Sequence, residues 1–303
     1  MSDLSASLLA VLERGTKADR LGKLIQEALV LVQTVLSDLG EEAVAISFNG
    51  GKDCTVLLHI YAAVLYANHV ADIPSHLRPL ASKDINVPSA PPPVVSHDQP
   101  ISPSPSLSAP ATAPPPLPSP TPSTPNPHPH ATHRHPQSDS ASLPYPPIRS
   151  IYITAPNPFP TLDEFVLDIT KRYAMDLYRF GGGMKAALEE YLGCGGGKGV
   201  KGVLVGTRQG DPNGEVPILA YTDPSWPQFL RIHPILHWTY ADVWDFLLEL
   251  HVPYCTLYDE GYTSLGSTTN TSPNPLLRNP SSESGWDPAY KLQDASQERA
   301  GRH

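Results

Sequence analysis

Cysteine is scarce in this chain of 303 residues, and the three present, Cys54, Cys194 and Cys255, lie far apart with no C-x-x-C pair. That excludes a disulfide framework and gives no zinc-site spacing; a reducing, cytoplasmic setting is expected. Excess positive charge is absent too, the formal net charge being -9. No basic stripe is available to displace counterions from a nucleic-acid backbone, so nucleic acid is not the expected partner. No apolar run approaches the roughly 18 residues of a spanning helix, and Asp3 and Glu13 stand where a targeting peptide avoids acids. Membrane insertion and export are not expected.

Aromatic residues are missing from one long region. Between Pro74 and Pro147 there is no Phe, Trp or Tyr before Tyr145, while about two-thirds of the 36 prolines fall there among Ser, Ala and His. Such a composition buries too little apolar surface to offset the entropy of ordering, so a disordered Pro-rich insertion is expected at about 74–147. His128, His130, His133 and His135 read as part of this low-complexity tract rather than as a metal site, and a partner for the insertion is not specified. The remainder, within 1–303, reads as a single catalytic domain.

Outside the insertion the pattern alternates. Leu21, Leu24, Ile25, Ala28, Leu29, Val32, Val35 and Leu36 recur at helical spacing within a helix expected over Leu4–Leu39. Ala43–Phe48 is an apolar run of strand length leading into Asn49-Gly50-Gly51, after which Val56, Leu57, Ile60, Tyr61 and Val64 form another helical stripe. Strands are expected at 148–153, 176–180 and 200–206. Helices are expected after a Thr161-Leu-Asp-Glu164 capping box, at Met184–Leu192, and after a Thr239-Tyr-Ala-Asp242 box. Gly193–Gly199 reads as a flexible turn. Alternation on this scale implies an α/β fold with a mostly parallel sheet flanked by helices, Rossmann-like, because parallel neighbours need long crossovers. Residues 252–303, rich in Tyr, Ser, Thr, Asn and Pro, read as a loop-rich segment that wraps the substrate.

Ligands of such sheets sit beyond the carboxyl ends of the strands. Ser47-Phe48-Asn49-Gly50-Gly51-Lys52-Asp53 passes from a strand to a helix at that edge. Glycines allow close approach of the main chain, helix-start amides attract anions, Lys52 adds positive charge and Asp53 can meet Mg²⁺. A plain glycine turn is the bland alternative; Ser, Lys and Asp at these places favour phosphate. The loop lacks the spacing of a Walker A motif. Gly206-Thr-Arg208-Gln-Gly-Asp211-Pro212 lies at the same edge after a later strand.

The first loop resembles the pyrophosphate loop of ATP pyrophosphatases, the adenine nucleotide alpha hydrolase-like and PAPS reductase-like superfamily. With it, Thr222-Asp-Pro-Ser-Trp-Pro227, Arg231-Ile-His-Pro234, Trp238–Trp244, Tyr254–Gly266, Asn270–Pro275 and Glu298-Arg-Ala-Gly-Arg302 resemble the eukaryotic FAD synthetases in order and wording. The resemblance implies an FMN adenylyltransferase that moves AMP from Mg-ATP to the FMN phosphate, giving FAD and pyrophosphate. It implies catalytic roles for Asn49, Asp53, Asp211, Arg299 and Arg302, ATP contacts from Ser47 through Asp53 and from Arg208, and metal contacts, direct or indirect, at Asp53 and Asp211. It places FMN against Asp223, Trp226 and Arg302, with Arg299 and Arg302 on one helical face. Two other readings stay open: a phosphoadenylylsulfate reductase-like enzyme, for which Cys255 is the one thiol near the C-terminus, and a flavin or nucleotide sensor without turnover.

Overall fold

The protein is described here from a computed structural model, which describes residues 4–89, 91, 143–212 and 214–303. Its elements run α1 (Leu4–Arg14), α2 (Arg20–Leu39), β1 (Val44–Ser47), α3 (Lys52–His69), β2 (Ile148–Ile153), α4 (Pro160–Arg172), β3 (Met175–Phe180), α5 (Met184–Gly193), β4 (Gly202–Leu204), β5 (Leu219–Tyr221), β6 (Leu230–Ile232) and α6 (Tyr240–Glu249). The sheet order is β3-β2-β1-β4-β6-β5. All neighbours are parallel except β5, which pairs antiparallel with β6.

Side chains alternate between the two faces of a strand, and β1 shows how unequal the faces are. Val44, Ile46 and Phe48 enter a large core formed with α1, α2, α3, α4 and α6. Ala45 faces a smaller core, where Ile151, Val203, Phe180 and Phe229 meet Ala187, Leu188 and Tyr191 of α5. The first face carries several helices; the second is covered mainly by α5 and the chain that follows it.

Several sequence expectations need correction. The first helix is two helices: the chain turns after Arg14, and Asp19 caps α2 by accepting from the Gly22 amide at 2.9 Å. The Thr161–Glu164 capping box does not form, because α4 already begins at Pro160 and Thr161 lies inside its first turn; proline at a helix start needs no amide partner. The Thr239–Asp242 box does form. Gly193–Gly199 is no loose turn, since a Cβ on Gly196 would lie 2.0 Å from the Tyr178 ring.

The margins of the Pro-rich insertion are packed, contrary to a disordered segment that starts at 74 and ends at 147. Ile73, Leu77 and Tyr145 are buried. Arg78 bonds the Ile73, Val70 and Ala71 carbonyls at 3.2, 2.7 and 2.8 Å and also that of Ala67, which satisfies the open carbonyl end of α3. Ile85 and Val87 pack against the core, and the Tyr221 hydroxyl donates to the Pro88 carbonyl. Composition missed this because a few aliphatic anchors are diluted by the tract beyond them. The interior of the insertion, including His128, His130, His133 and His135, lies outside the described residues.

Candidate active site

The site is built from three pieces of chain that meet at the carboxyl edge of the sheet. The first is the turn after β1. Phe48 extends the ladder, its amide donating to the Ile151 carbonyl at 2.9 Å, and its side chain is fully buried. Phe48 is therefore a core residue whose backbone alone can face a ligand. Gly50 has φ +75°, and a Cβ there would lie 2.7 Å from Val166 and 2.8 Å from Leu162. Both conformation and space demand glycine. Exposed Asn49 accepts the Gly51 amide through Oδ1 at 2.9 Å, and α3 starts at Lys52.

The second piece is the loop after β4, which carries Arg208 and Asp211. The Asp211 carboxylate accepts both the Arg208 amide at 2.8 Å and its guanidinium at 3.1 Å, so this loop locks its own arginine. Asp53, in the first turn of α3, meets the same guanidinium: Arg208 Nε stands 2.7 Å from Asp53 Oδ1, out of line for a hydrogen bond but close enough for an ion pair. Lys52 Nζ reaches Asp53 Oδ2 at 2.9 Å.

The third piece comes from near the C-terminus, and its key residue is one to which sequence analysis gave no role. Glu298 bonds Lys52 Nζ through one carboxylate oxygen and Arg208 Nη2 through the other, the latter at 2.6 Å. Its distance of 246 residues along the chain from Lys52 put the contact beyond any spacing argument, although Glu298 stands inside a segment the resemblance singles out. Tyr258 was also missed; its hydroxyl accepts the Lys52 amide at 2.9 Å, and the Tyr240 ring lies 5.2 Å from Nζ.

Lys52 is 2% exposed and Arg208 4%. Charged groups are buried only when paired, and here two cations face three carboxylates. Burial alone works against the Arg208 charge, but Asp53, Glu298 and Asp211 outweigh it and hold the guanidinium more firmly protonated than usual. Burial raises the Asp211 carboxyl above its ordinary value despite Arg208. Among the described residues no group of three or more His, Cys, Asp or Glu is arranged to hold a metal; Asp53 and Asp211 both turn to Arg208.

The C-terminal segment is held across this edge by its own polar core. Asn274, fully buried, donates to the Thr263 hydroxyl at 3.0 Å and to the Gln297 carbonyl at 2.8 Å, and Thr263 donates to the Glu298 carbonyl at 2.6 Å. The Thr268 amide bonds Asn157, in the loop after β2. Arg302 lies close over Gly266 with Nη1 3.4 Å from Ser264 Oγ, while Arg299 is exposed. The two do not share a helical face as expected, because the chain from Glu298 to Arg302 is a turn closed by Arg302 N–H to the Arg299 carbonyl. Neither is in an ion pair among the described residues. Burial, with the Arg299 charge nearby, lowers the Arg302 guanidinium from its ordinary value.

Asp223 and Trp226 are not brought to this cluster. They lie in the hairpin between β5 and β6, at the amino end of β6, on the opposite edge of the sheet. Asp223 is exposed; Trp226 is partly buried against the smaller core. The two short strands that make the hairpin, three residues each, were too brief for a periodic signal.

Cys255 is fully buried, and burial pushes its thiol up to about 11. A thiol nucleophile needs an accessible, low-pKa site, so the reductase reading loses its candidate.

A family model described as the phosphoadenosine phosphosulfate reductase domain matches residues 182–273. The chain is 42% identical over 154 residues to a probable FAD synthase of Schizosaccharomyces pombe, covering 50% of this chain and 57% of that protein. It is 32% identical over 286 residues to a probable FAD synthase of Caenorhabditis elegans, covering 92% of this chain and 40% of the relative. The chain thus spans about half the length, or less, of these curated relatives. A solved structure of Candida glabrata FMN adenylyltransferase, in complex with FMN and the ATP analogue AMPCPP, matches with TM-score 0.65 at 21% identity, covering 99% of this chain and 96% of that one. By sequence the chain is a relative of the eukaryotic FAD synthases, and its fold is that of the FMN adenylyltransferases.

Proposed function

We propose that this chain transfers AMP from ATP to FMN, producing FAD and pyrophosphate. The observation that carries the reading is the buried Lys52–Arg208 pair beside the Gly50 turn, where two cations converge at the edge at which nucleotide phosphates bind in such sheets. The names of its relatives and the ligands of the Candida glabrata enzyme support the same chemistry.

In this reaction an FMN phosphate oxygen attacks the α-phosphorus of ATP, and the bond to the bridging oxygen breaks. Pyrophosphate leaves with the electron pair. The attacking phosphate is already ionised, so the chain contributes alignment and charge stabilisation rather than a strong base. Lys52 and Arg208 supply fixed positive charge, Arg302 and Arg299 supply cations not committed to carboxylates, and Asn49 shapes the turn against the phosphates. Asp53 and Asp211 are the carboxylates that would hold Mg²⁺, which commonly binds through one or two carboxylates plus substrate oxygens and would there neutralise triphosphate charge. Three cysteines without disulfides suit a cytoplasmic setting.

The flavin reading of Asp223 and Trp226 requires a ligand that spans the sheet. Strands β4 and β6 are three residues deep, about 10 Å, which a molecule of FMN's length exceeds. Trp226 packs on the smaller core, the same face of the sheet that Val205 and Ile153 pack on near the carboxyl ends of β4 and β2; a ring laid along that face would reach from one edge toward the other. Asp223 would accept the imide hydrogen of that ring.

The purified protein is expected to form FAD from FMN and Mg-ATP, read by chromatography, and Asp53→Ala to lose most turnover while keeping its circular dichroism. Absence of FAD from the wild-type reaction rejects the proposal. Asp223→Ala is expected to raise KM for FMN about tenfold, the scale of one hydrogen bond to a charged group, and to leave KM for ATP unchanged; an ATP effect instead of an FMN effect would remove the hairpin from the flavin site.

A further inference from the structure

Among the three carboxylates of the cluster, Glu298 differs from the other two in how it is carried. Asp53 belongs to the first turn of α3, and Asp211 is fastened to the amide and guanidinium of Arg208 within its own loop. Glu298 arrives from a distant segment on a longer side chain, and its backbone is secured independently: its amide donates to Ala295 at 3.1 Å, and its carbonyl accepts from Thr263. The carboxylate can therefore swing away without unmaking the turn that carries it.

Its position is that of an anion bound by two cations. One oxygen meets Lys52 Nζ and the other Arg208 Nη2, the bridging geometry a phosphate oxygen pair adopts between a lysine and an arginine. With Glu298 in place the cluster holds three negative charges against two positive ones. A polyphosphate that added its own charge to this arrangement would meet net repulsion, and both cations would already be engaged.

We propose that Glu298 is an internal stand-in for nucleotide phosphate: its carboxylate keeps Lys52 and Arg208 paired and buried until a phosphate group takes its place, and binding expels it. The inference deepens the adenylyltransferase reading and rests on it for the identity of the ligand. Exchange of one anion for another lets two cations stay buried in both states, so binding avoids the penalty of leaving either unpaired. It also makes affinity a difference between two anions, so the site should refuse weakly charged ligands and accept polyphosphates.

The test uses inorganic pyrophosphate with Mg²⁺, followed by calorimetry on the wild-type chain and on Glu298→Gln. The neutral amide keeps the size of the side chain but loses the competing charge, and pyrophosphate is expected to bind the variant about tenfold more tightly, the scale of a close charge–charge competition. FMN affinity is expected to stay the same. If wild type binds pyrophosphate and Glu298→Gln binds it equally or more weakly, Glu298 is a fixed support for the two cations and the proposal fails while the adenylyltransferase reading stands. If neither binds pyrophosphate, the phosphate site itself is wrong and both readings fall. A second measurement needs no variant: carbodiimide labelling of wild-type Glu298, read by mass spectrometry, is expected to rise when pyrophosphate is added to a chain that binds it. Unchanged or reduced labelling would overturn the exchange.

Discussion

Helix α3 carries two buried polar clusters that look alike in a list of residues and differ in kind. At its start, Lys52 and Asp53 join Arg208, Asp211 and Glu298 in a knot of five ionised groups. Two turns later His59, equally buried, sits between the Ser7 hydroxyl at 3.1 Å and the Tyr173 hydroxyl at 2.7 Å. Burial first, and the Arg172 charge second, push its imidazole down to about 3, so it is neutral at neutral pH. The second cluster ties α1, α3 and the chain after α4 together with each ring nitrogen answered by a hydroxyl. The first cluster contains more negative than positive charge and opens on a sheet edge. A neutral, fully answered cluster stabilises a fold; a charged one with more anions than cations has a carboxylate to give up in exchange for another anion. That difference in charge balance, rather than burial or side-chain type, separates structure from site.

The comparison breaks most visibly at Arg208. Arg208→Ala removes the cation shared by Asp53, Asp211 and Glu298 and is expected to lower FAD formation by at least about 100-fold, the scale seen when a transition-state charge partner is deleted. A loss below tenfold in steady-state assays would show that the charged knot is as structural as its neighbour.

The smaller effect belongs to His59. His59→Gln is expected to cost about 1–3 kcal/mol in urea unfolding, because one hydroxyl is left poorly answered, with pyrophosphate affinity unaltered. The sign of its pH dependence follows from the depressed pKa. Below its ordinary value of 6.5 the unfolded chain takes up a proton that the folded chain refuses, so this contribution is complete above about pH 6.5 and declines as pH falls toward about 3. Unfolding midpoints across that window should fall less steeply in His59→Gln than in wild type; an unchanged slope would mean that another group sets the acid limb.

The sequence made the framework of both clusters visible in unequal measure. The run Ala43–Phe48, the glycine turn and the stripe from Val56 to Val64 announced β1, its loop and α3, because apolar periodicity is a local property. Arg208 and Asp211 were legible as an edge loop for the same reason. Glu298 and Tyr258 were not, since their meaning lies in contacts that only the folded chain makes. The Asp223–Trp226 hairpin was legible only as a motif: its place at the amino edge of the sheet depends on β5 running against its neighbour, which three residues of sequence cannot signal. The Arg299–Arg302 pair does not share a helical face, because a spacing of three suggests a helix where the chain makes only a turn.

Arg78 carries one consequence further. By gathering four carbonyls at the exit from α3 it fixes the first bend of a segment that stays packed on the domain as far as Pro88, and buried Tyr145 anchors the return. Between two pinned posts, closure entropy grows only logarithmically with the number of residues strung across, about 0.6 kcal/mol for each doubling. The domain can therefore host a tether of nearly any length there at almost constant stability, which makes this the natural port for inserting a tag or a reporter domain.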